Sequence, residues 1–129
     1  MNSTIFKGLA TLSIDNKNRI AFPKRNADLE QLIDRICYLA PEENSKYPLF
    51  YGIPSEKLSD TWYANHSFGD LRKIDKNRRI LIPTEIQKYL KIENKTIAYI
   101  GRGNFFTLCS QNYFHEAVKE LAHSPTIHL

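Results

Sequence analysis

Long apolar runs are missing from this chain: nowhere do about 18 apolar residues stand together, so a membrane-spanning helix is not read from it. The opening stretch MNSTIFKGLATLSID lacks a basic segment followed by an apolar run, so no secretory leader is read and a cytoplasmic location is expected. Cysteine is scarce. Cys37 and Cys109 each sit in an apolar, strand-like run (RICYLA, FFTLCS), which reads as buried reduced thiols rather than a disulfide. Of the histidines, His66, His115, His123 and His128, none pairs with Cys37 or Cys109 at metal-ligand spacing, and no serine, histidine and acid constellation can be assembled. No metal, no cofactor and no catalytic residue is therefore expected, and Asp15 with Asp75 is the only pair of carboxylates that an enzyme reading has to offer.

What is present is ordinary in amount and unusual in arrangement. A 129-residue chain with 42% hydrophobic and 25% charged residues suits one compact domain, or two very small units sharing a core. The net charge of +4 is unevenly spread: residues 15–25 carry +3 and residues 72–79 carry +4, which leaves the remainder at −3. Positive charge concentrated in this way is the footprint of a surface that meets a polyanion.

The two basic stretches are also a repeat. Residues 14–23 read IDNKNRIAFP and residues 74–83 read IDKNRRILIP, 60 positions apart. In each, apolar residues alternate at period two (Leu12, Ile14, Ile20, Phe22; Ile74, Ile80, Ile82) on either side of an interruption rich in turn formers, DNKN or DKNR. Pro23 and Pro83 end these runs. A helix is expected after Pro23, with Leu29, Leu32, Ile33 and Ile36 on one face, and another after Pro83, where Thr84 and Gln87 have capping-box spacing and Ile86 and Leu90 share a face.

Both copies continue alike. ICYLA and PLFYGI read as two strands around the polar loop 40–48, and TIAYIG and FFTLC as two more around the turn GRGN. Helices should follow, one from Ser55 toward Leu58 and Trp62, the other from Ser110 toward Phe114, Ala117, Val118 and Leu121. The GRGN turn lacks the downstream lysine and hydroxyl of a phosphate-binding loop and reads as a hairpin. Trp62, Tyr99, Phe105, Phe106 and Phe114 have core spacing rather than that of base-stacking surface aromatics. With the junction at NHSFGD (65–70), the expected organisation is two repeats, 1–66 and 67–129, too small to fold alone and so packed together as an internal pseudo-dimer in an α+β, mostly β fold.

The opening FKG, the doubled Asp-to-Arg motif with its trailing aliphatics and proline, and the segment TIAYIGRGNFFTLCSQNYF resemble the MraZ family of bacterial transcription regulators, whose tandem repeats belong to the AbrB-like swapped-hairpin group. The resemblance implies a sequence-specific regulator that binds short direct repeats of double-stranded DNA in the promoter of the division and cell-wall gene cluster, nucleoid-associated and often a ring-shaped homo-oligomer, with no membrane partner. An AbrB-type antitoxin or transition-state regulator is the related alternative, and a basic RNA- or protein-binding module the unrelated one. The motif's Asp and Arg fall on Asp15 and Arg19, and on Asp75 and Arg79, with the intervening basic residue on Lys17. Where the family usually has glycine before the motif arginine this chain has Asn18 and Arg78, so the second loop is expected to differ in shape.

Paired repeats would bring the two loops onto a common face, with Arg19 and Arg79 approaching a duplex together. A guanidinium fork fits phosphate, or the O6 and N7 edge of guanine. Lys17, Lys24, Arg25, Lys76 and Arg78 would mainly contact phosphates, setting position without choosing sequence. The plainer reading of Arg19 and Arg79 is a salt bridge to their own aspartates. For Asp15 and Asp75 the structural role is the expected one: accepting turn N–H groups and orienting the arginines.

Overall fold

A computed structural model describes residues 5–43, 45–59 and 69–123. Strands β1 (Leu9–Ser13), β3 (Ile36–Pro41), β4 (Leu49–Pro54), β5 (Asp70–Lys73), β7 (Thr96–Gly101) and β8 (Phe106–Ser110) form one six-stranded antiparallel sheet in the order β1-β7-β8-β4-β3-β5. The short strands β2 (Arg19–Ala21) and β6 (Arg79–Leu81) pair with each other as a separate ribbon. The fold is α+β and mostly β, as the alternating pattern implied.

The strand order is symmetric about the β4–β8 pair, and the halves exchange their first strands. β1 pairs with β7 of the second half, register Thr11 to Ala98, while β5 pairs with β3 of the first, register Leu71 to Tyr38. Residues 60 apart thus occupy equivalent places, so Thr11 corresponds to Leu71 and Tyr38 to Ala98. Neither half can complete its own sheet.

Period-two alternation then sorts the side chains. One sheet face sends Cys37, Leu39, Phe50, Ile97, Tyr99, Phe106 and Leu108 into the main core with Ile14, Ile20, Phe22, Ile74, Ile80 and Ile82 of the ribbon and its flanks. On the other face Leu49, Ala98, Ile100 and Cys109 pack beneath helix α3 (Phe114–His123) through Ala117 and Leu121, and Tyr38, Ala40, Tyr51, Ile53 and Phe105 form a third cluster with Leu58. Because both faces are covered, β3, β4, β7 and β8 read as nearly unbroken apolar runs. Tyr99, Phe105 and Phe106 are core, as their spacing indicated, and Phe114 is half-buried. Cys37 and Cys109 are free and buried, and burial pushes both thiols up to about 12.

Several local expectations fail for identifiable reasons. The helix after Pro23 is only a 3₁₀ turn (Lys24–Asn26) and one turn of α1 (Leu29–Leu32); Ile33 and Ile36 are exposed, and Ile36 already belongs to β3. The N-terminal segment intervenes. Asn26 is buried, with its Nδ2 donating to the Lys7 carbonyl and its own carbonyl accepting from Lys7 N and the Tyr99 hydroxyl, while Ala27 is extended and bridges to Phe6. Asp34, in the left-handed region at φ 66°, then turns the chain away, its N–H donating to the Ile74 carbonyl. After Pro83 the helix α2 (Thr84–Leu90) forms with Ile86 and Leu90 buried, but Pro83 itself holds the cap position and no capping box forms. Ser110 does cap the turn that leads into α3, accepting from Asn112 N at 3.2 Å. Ser55 begins a 3₁₀ turn (Ser55–Lys57), and the rest of the helix expected toward Trp62 lies outside the described residues, as do His66, most of the junction at 65–70 and His128. No helix among the described residues is long and apolar enough to cross a membrane.

The GRGN turn is a hairpin, closed by Arg102 N donating to the Phe105 carbonyl at 2.9 Å, with Gly103 at φ +92°. It also docks the N-terminal segment: Phe6 and Gly103 exchange backbone hydrogen bonds, both of 2.8 Å, and the Phe6 ring lies 4.9 Å from that of Phe106. Gly101 permits this approach, since a Cβ there would stand 2.3 Å from Lys7 N. Gly101→Ala should therefore lower stability by about 1–3 kcal/mol in urea denaturation and loosen hydrogen-exchange protection at Lys7. An unchanged urea midpoint would show that the segment does not bear on the sheet as described.

Candidate nucleic-acid interface

The two motif loops are near copies. In the first, Asp15 N donates to the Arg19 carbonyl at 2.9 Å and Asn18 N to the Asp15 carbonyl at 3.0 Å; in the second, Asp75 N donates to the Arg79 carbonyl at 2.9 Å and Arg78 N to the Asp75 carbonyl at 3.0 Å. Asp15 Oδ1 accepts from Lys17 N and Arg19 N, each at 2.9 Å, and its Oδ2 accepts from Arg19 Nε at 3.0 Å. Asp75 repeats this with Asn77 N at 2.8 Å, Arg79 N at 2.9 Å and Arg79 Nε at 3.2 Å. Each carboxylate thus closes its turn and holds its arginine, the structural role expected of it.

The second loop does not differ in shape. Asn18 and Arg78 both take the left-handed conformation, at φ 62° and 64°. An arginine there costs about 1–2 kcal/mol of local strain, and hydrogen bonds to the other half offset it. Arg78 Nε donates to the Phe22 carbonyl at 3.0 Å, and Phe22 N donates to the Arg78 carbonyl at 2.9 Å. The first loop is tied across in its own way: Ile82 N donates to the Asn18 carbonyl at 2.7 Å, and Gln87 Nε2 donates to Asn18 Oδ1 at 3.1 Å and to the Ile82 carbonyl at 2.8 Å.

These ties run alongside the ribbon, which sets the geometry of the arginines. Ile20 pairs with Ile80 and both point into the core, so Arg19, Ala21, Arg79 and Leu81 share the opposite face. With Arg19 opposite Leu81 and Ala21 opposite Arg79, the two arginines are diagonal neighbours, about 7–8 Å apart at their backbones. Both side chains are part-exposed, at 24% and 30%. The aspartates engage Nε, and among the described residues no hydrogen bond engages the Nη fork of either. The salt bridge to the neighbouring aspartate and an outward guanidinium edge are therefore compatible, the one aiming the other. Lys17, Lys24, Arg25 and Lys76 are exposed, while Arg78 is half-buried with its Nε committed to Phe22.

Gln87 is the residue that reading the sequence missed. Its spacing from Thr84 pointed to a cap, yet its side chain braces the opposite loop. The available signal was the asymmetry of the repeat, since Ala27 stands at the equivalent place.

The carboxyl groups are biased toward charge. The Arg19 N–H holds Asp15 below its ordinary value, helped by Lys17 N and the guanidinium against the cost of desolvation. For Asp75, desolvation pushes upward but is outweighed by the Arg79 and Asn77 N–H groups and the Arg79 guanidinium, and the net shift is again downward. Groups depressed in the folded state contribute stability above their unfolded pKa and lose it as pH falls through the folded one. Here that window lies below the ordinary 3.8, so the loops should stay intact throughout the neutral and mildly acid range.

What fold and site define is an internally twofold, mostly β protein presenting two aspartate-braced arginine loops on one ribbon face. No family model matches the chain. Among curated proteins it is similar to the "Transcriptional regulator MraZ" of Shewanella piezotolerans, at 25% identity over 90% of this chain and 86% of that protein. It is likewise similar to those of Legionella pneumophila (26%, covering 79% and 77%) and Halorhodospira halophila (26%, covering 87% and 84%). The family this chain resembles is MraZ, and the resemblance first read from the doubled motif extends over most of its length.

Asp75→Ala should cost about 1 kcal/mol in urea denaturation at pH 7, the low end for several hydrogen bonds to a carboxylate more than a third open to solvent. The penalty should shrink as pH falls below 3.8, where the unfolded carboxylate protonates, and vanish only below the still lower folded-state value, where the wild-type carboxylate is itself protonated. A penalty independent of pH would contradict the charged bracing.

Proposed function

We propose that this chain is a MraZ-type transcription regulator that binds double-stranded DNA in a sequence-specific manner, acting in the cytoplasm at the nucleoid as a homo-oligomer, with direct repeats in the promoter of the division and cell-wall genes as its target. Its units are the repeats 1–66 and 67–129. One observation carries the proposal: Arg19 and Arg79 are braced by Asp15 and Asp75 and lie side by side on a single ribbon face. A guanidinium whose Nε is already held presents its Nη pair as a preset fork, suited to two hydrogen bonds with guanine O6 and N7 or with a phosphate. Lys17, Lys24, Arg25 and Lys76 supply the surrounding phosphate contacts, and Arg78 adds charge while holding the two loops in register. The printed names of the similar proteins support the regulatory reading.

Fragments selected from genomic DNA, footprinted and then titrated by fluorescence anisotropy, test this. Specific affinity should fall steeply and log-linearly with salt, and Lys24→Ala should lessen that slope by about 1. Arg19→Ala and Arg79→Ala should each cost about 1–3 kcal/mol on the selected site and much less on unrelated duplex. Folded variants with unchanged specific affinity, or preference of the wild type for single-stranded RNA, would overturn the assignment.

A further inference from the structure

The outward face of the ribbon carries more than its arginines. Strands β2 and β6 set Arg19 directly against Leu81 and Ala21 against Arg79 on that face, with no acid among them. Ala21 is exposed and Leu81 half-buried, and among the described residues neither joins an apolar cluster. The arginines repeat across the ribbon's local twofold axis, whereas the apolar pair does not. Ala21 holds the place equivalent to Leu81 with the same register and the same loop shape, so the backbone does not require a leucine there. Its side chain is free to answer to whatever the face meets.

A two-stranded ribbon is of a size that the major groove of duplex DNA admits, and the C5 methyl of thymine is the apolar group displayed on the base edges there. Directly opposed residues of an antiparallel pair have Cβ atoms about 5 Å apart, and successive bases along a strand rise by about 3.4 Å. An apolar side chain beside Arg19 therefore falls about one or two base pairs from the base edge that its guanidinium fork would hold. A second copy of this chain is the poorer occupant, because it would set arginine against arginine.

We propose that Leu81 is a specificity-determining residue of this face, its methyl groups meeting the C5 methyl of a thymine close to the guanine that Arg19 holds. Ala21, too short to make the same contact beside Arg79, leaves the other side without that demand. A face twofold in its arginines alone would dock in either of two orientations; the difference between Leu81 and Ala21 removes that degeneracy and gives the bound protein one direction along the duplex. The inference rests on the duplex-binding reading and adds to it a base recognised by an apolar contact.

The test uses the full chain and the duplex selected from genomic DNA, titrated by anisotropy, with each thymine replaced in turn by deoxyuridine. That replacement removes the C5 methyl and leaves every base-pairing group in place. One substitution, about one or two base pairs from the guanine whose replacement no longer matters to Arg19→Ala, should weaken wild-type binding about fourfold, the worth of one buried aliphatic carbon. Leu81→Ala should bind the thymine and uracil duplexes alike, whereas Leu81→Met, apolar and similar in volume, should keep the difference. Urea denaturation of each variant checks that it is folded, and the wild-type scan stands without them. Specific binding of the duplex that ignores every deoxyuridine would overturn the inference and leave the duplex-binding reading intact, while absence of specific duplex binding would overturn both. A weakened Leu81→Ala that still distinguishes thymine from uracil would assign the leucine to holding Arg19 in place, against the proposal. Self-association lost on Leu81→Ala, with no response to deoxyuridine, would overturn it in favour of a second copy.

Discussion

The antiparallel pairing of β2 with β6 is the constraint on which the rest depends. Three residues from each half meet there, with Ile20 set against Ile80 in the core. A single residue's slip in this register would turn the isoleucines outward and the arginines inward, so burial of two aliphatic side chains fixes where two charged ones point. The hydrogen bonds beyond the ribbon's ends, Phe22 with Arg78 and Ile82 with Asn18, extend the same registration into the loops. Hydrophobic burial thereby positions a polar surface.

Strand exchange makes this arrangement cooperative. Each half lends its first strand to the other's sheet edge, so loosening one half removes a strand from its neighbour. The symmetry is nevertheless incomplete. Loop one is braced by a glutamine from α2 and loop two by its own arginine. Equivalent loop shapes are reached by different side chains, which is how a repeat tolerates divergence while its backbone geometry persists.

Much of this was legible in the sequence because the governing periods are short. Alternation at period two marked the strands, turn formers marked the loops, and short acids beside arginines pointed to the bracing seen at Asp15 and Asp75. What escaped was decided by contacts distant in sequence. Leu29, Leu32, Ile33 and Ile36 have helical spacing, yet the segment around Phe6 claims Asn26 and Ala27 and cuts the helix to one turn. Arg78 has poor local propensity for a left-handed backbone, and only its bond to Phe22 in the other half accounts for it. That strands cross between the halves was implied only by the resemblance to swapped-hairpin proteins, since the repeat itself announces symmetry without saying which strand each half lends.

The central claim is that two loops, brought together by one ribbon, act as a single surface toward duplex DNA. Amide chemical shifts followed during titration with the selected duplex test it most directly. The account predicts that residues 15–19 and 75–79 shift together, at the same DNA concentrations and more than the exposed face of α3. Perturbation of one loop without the other, or centred on α3, would contradict it.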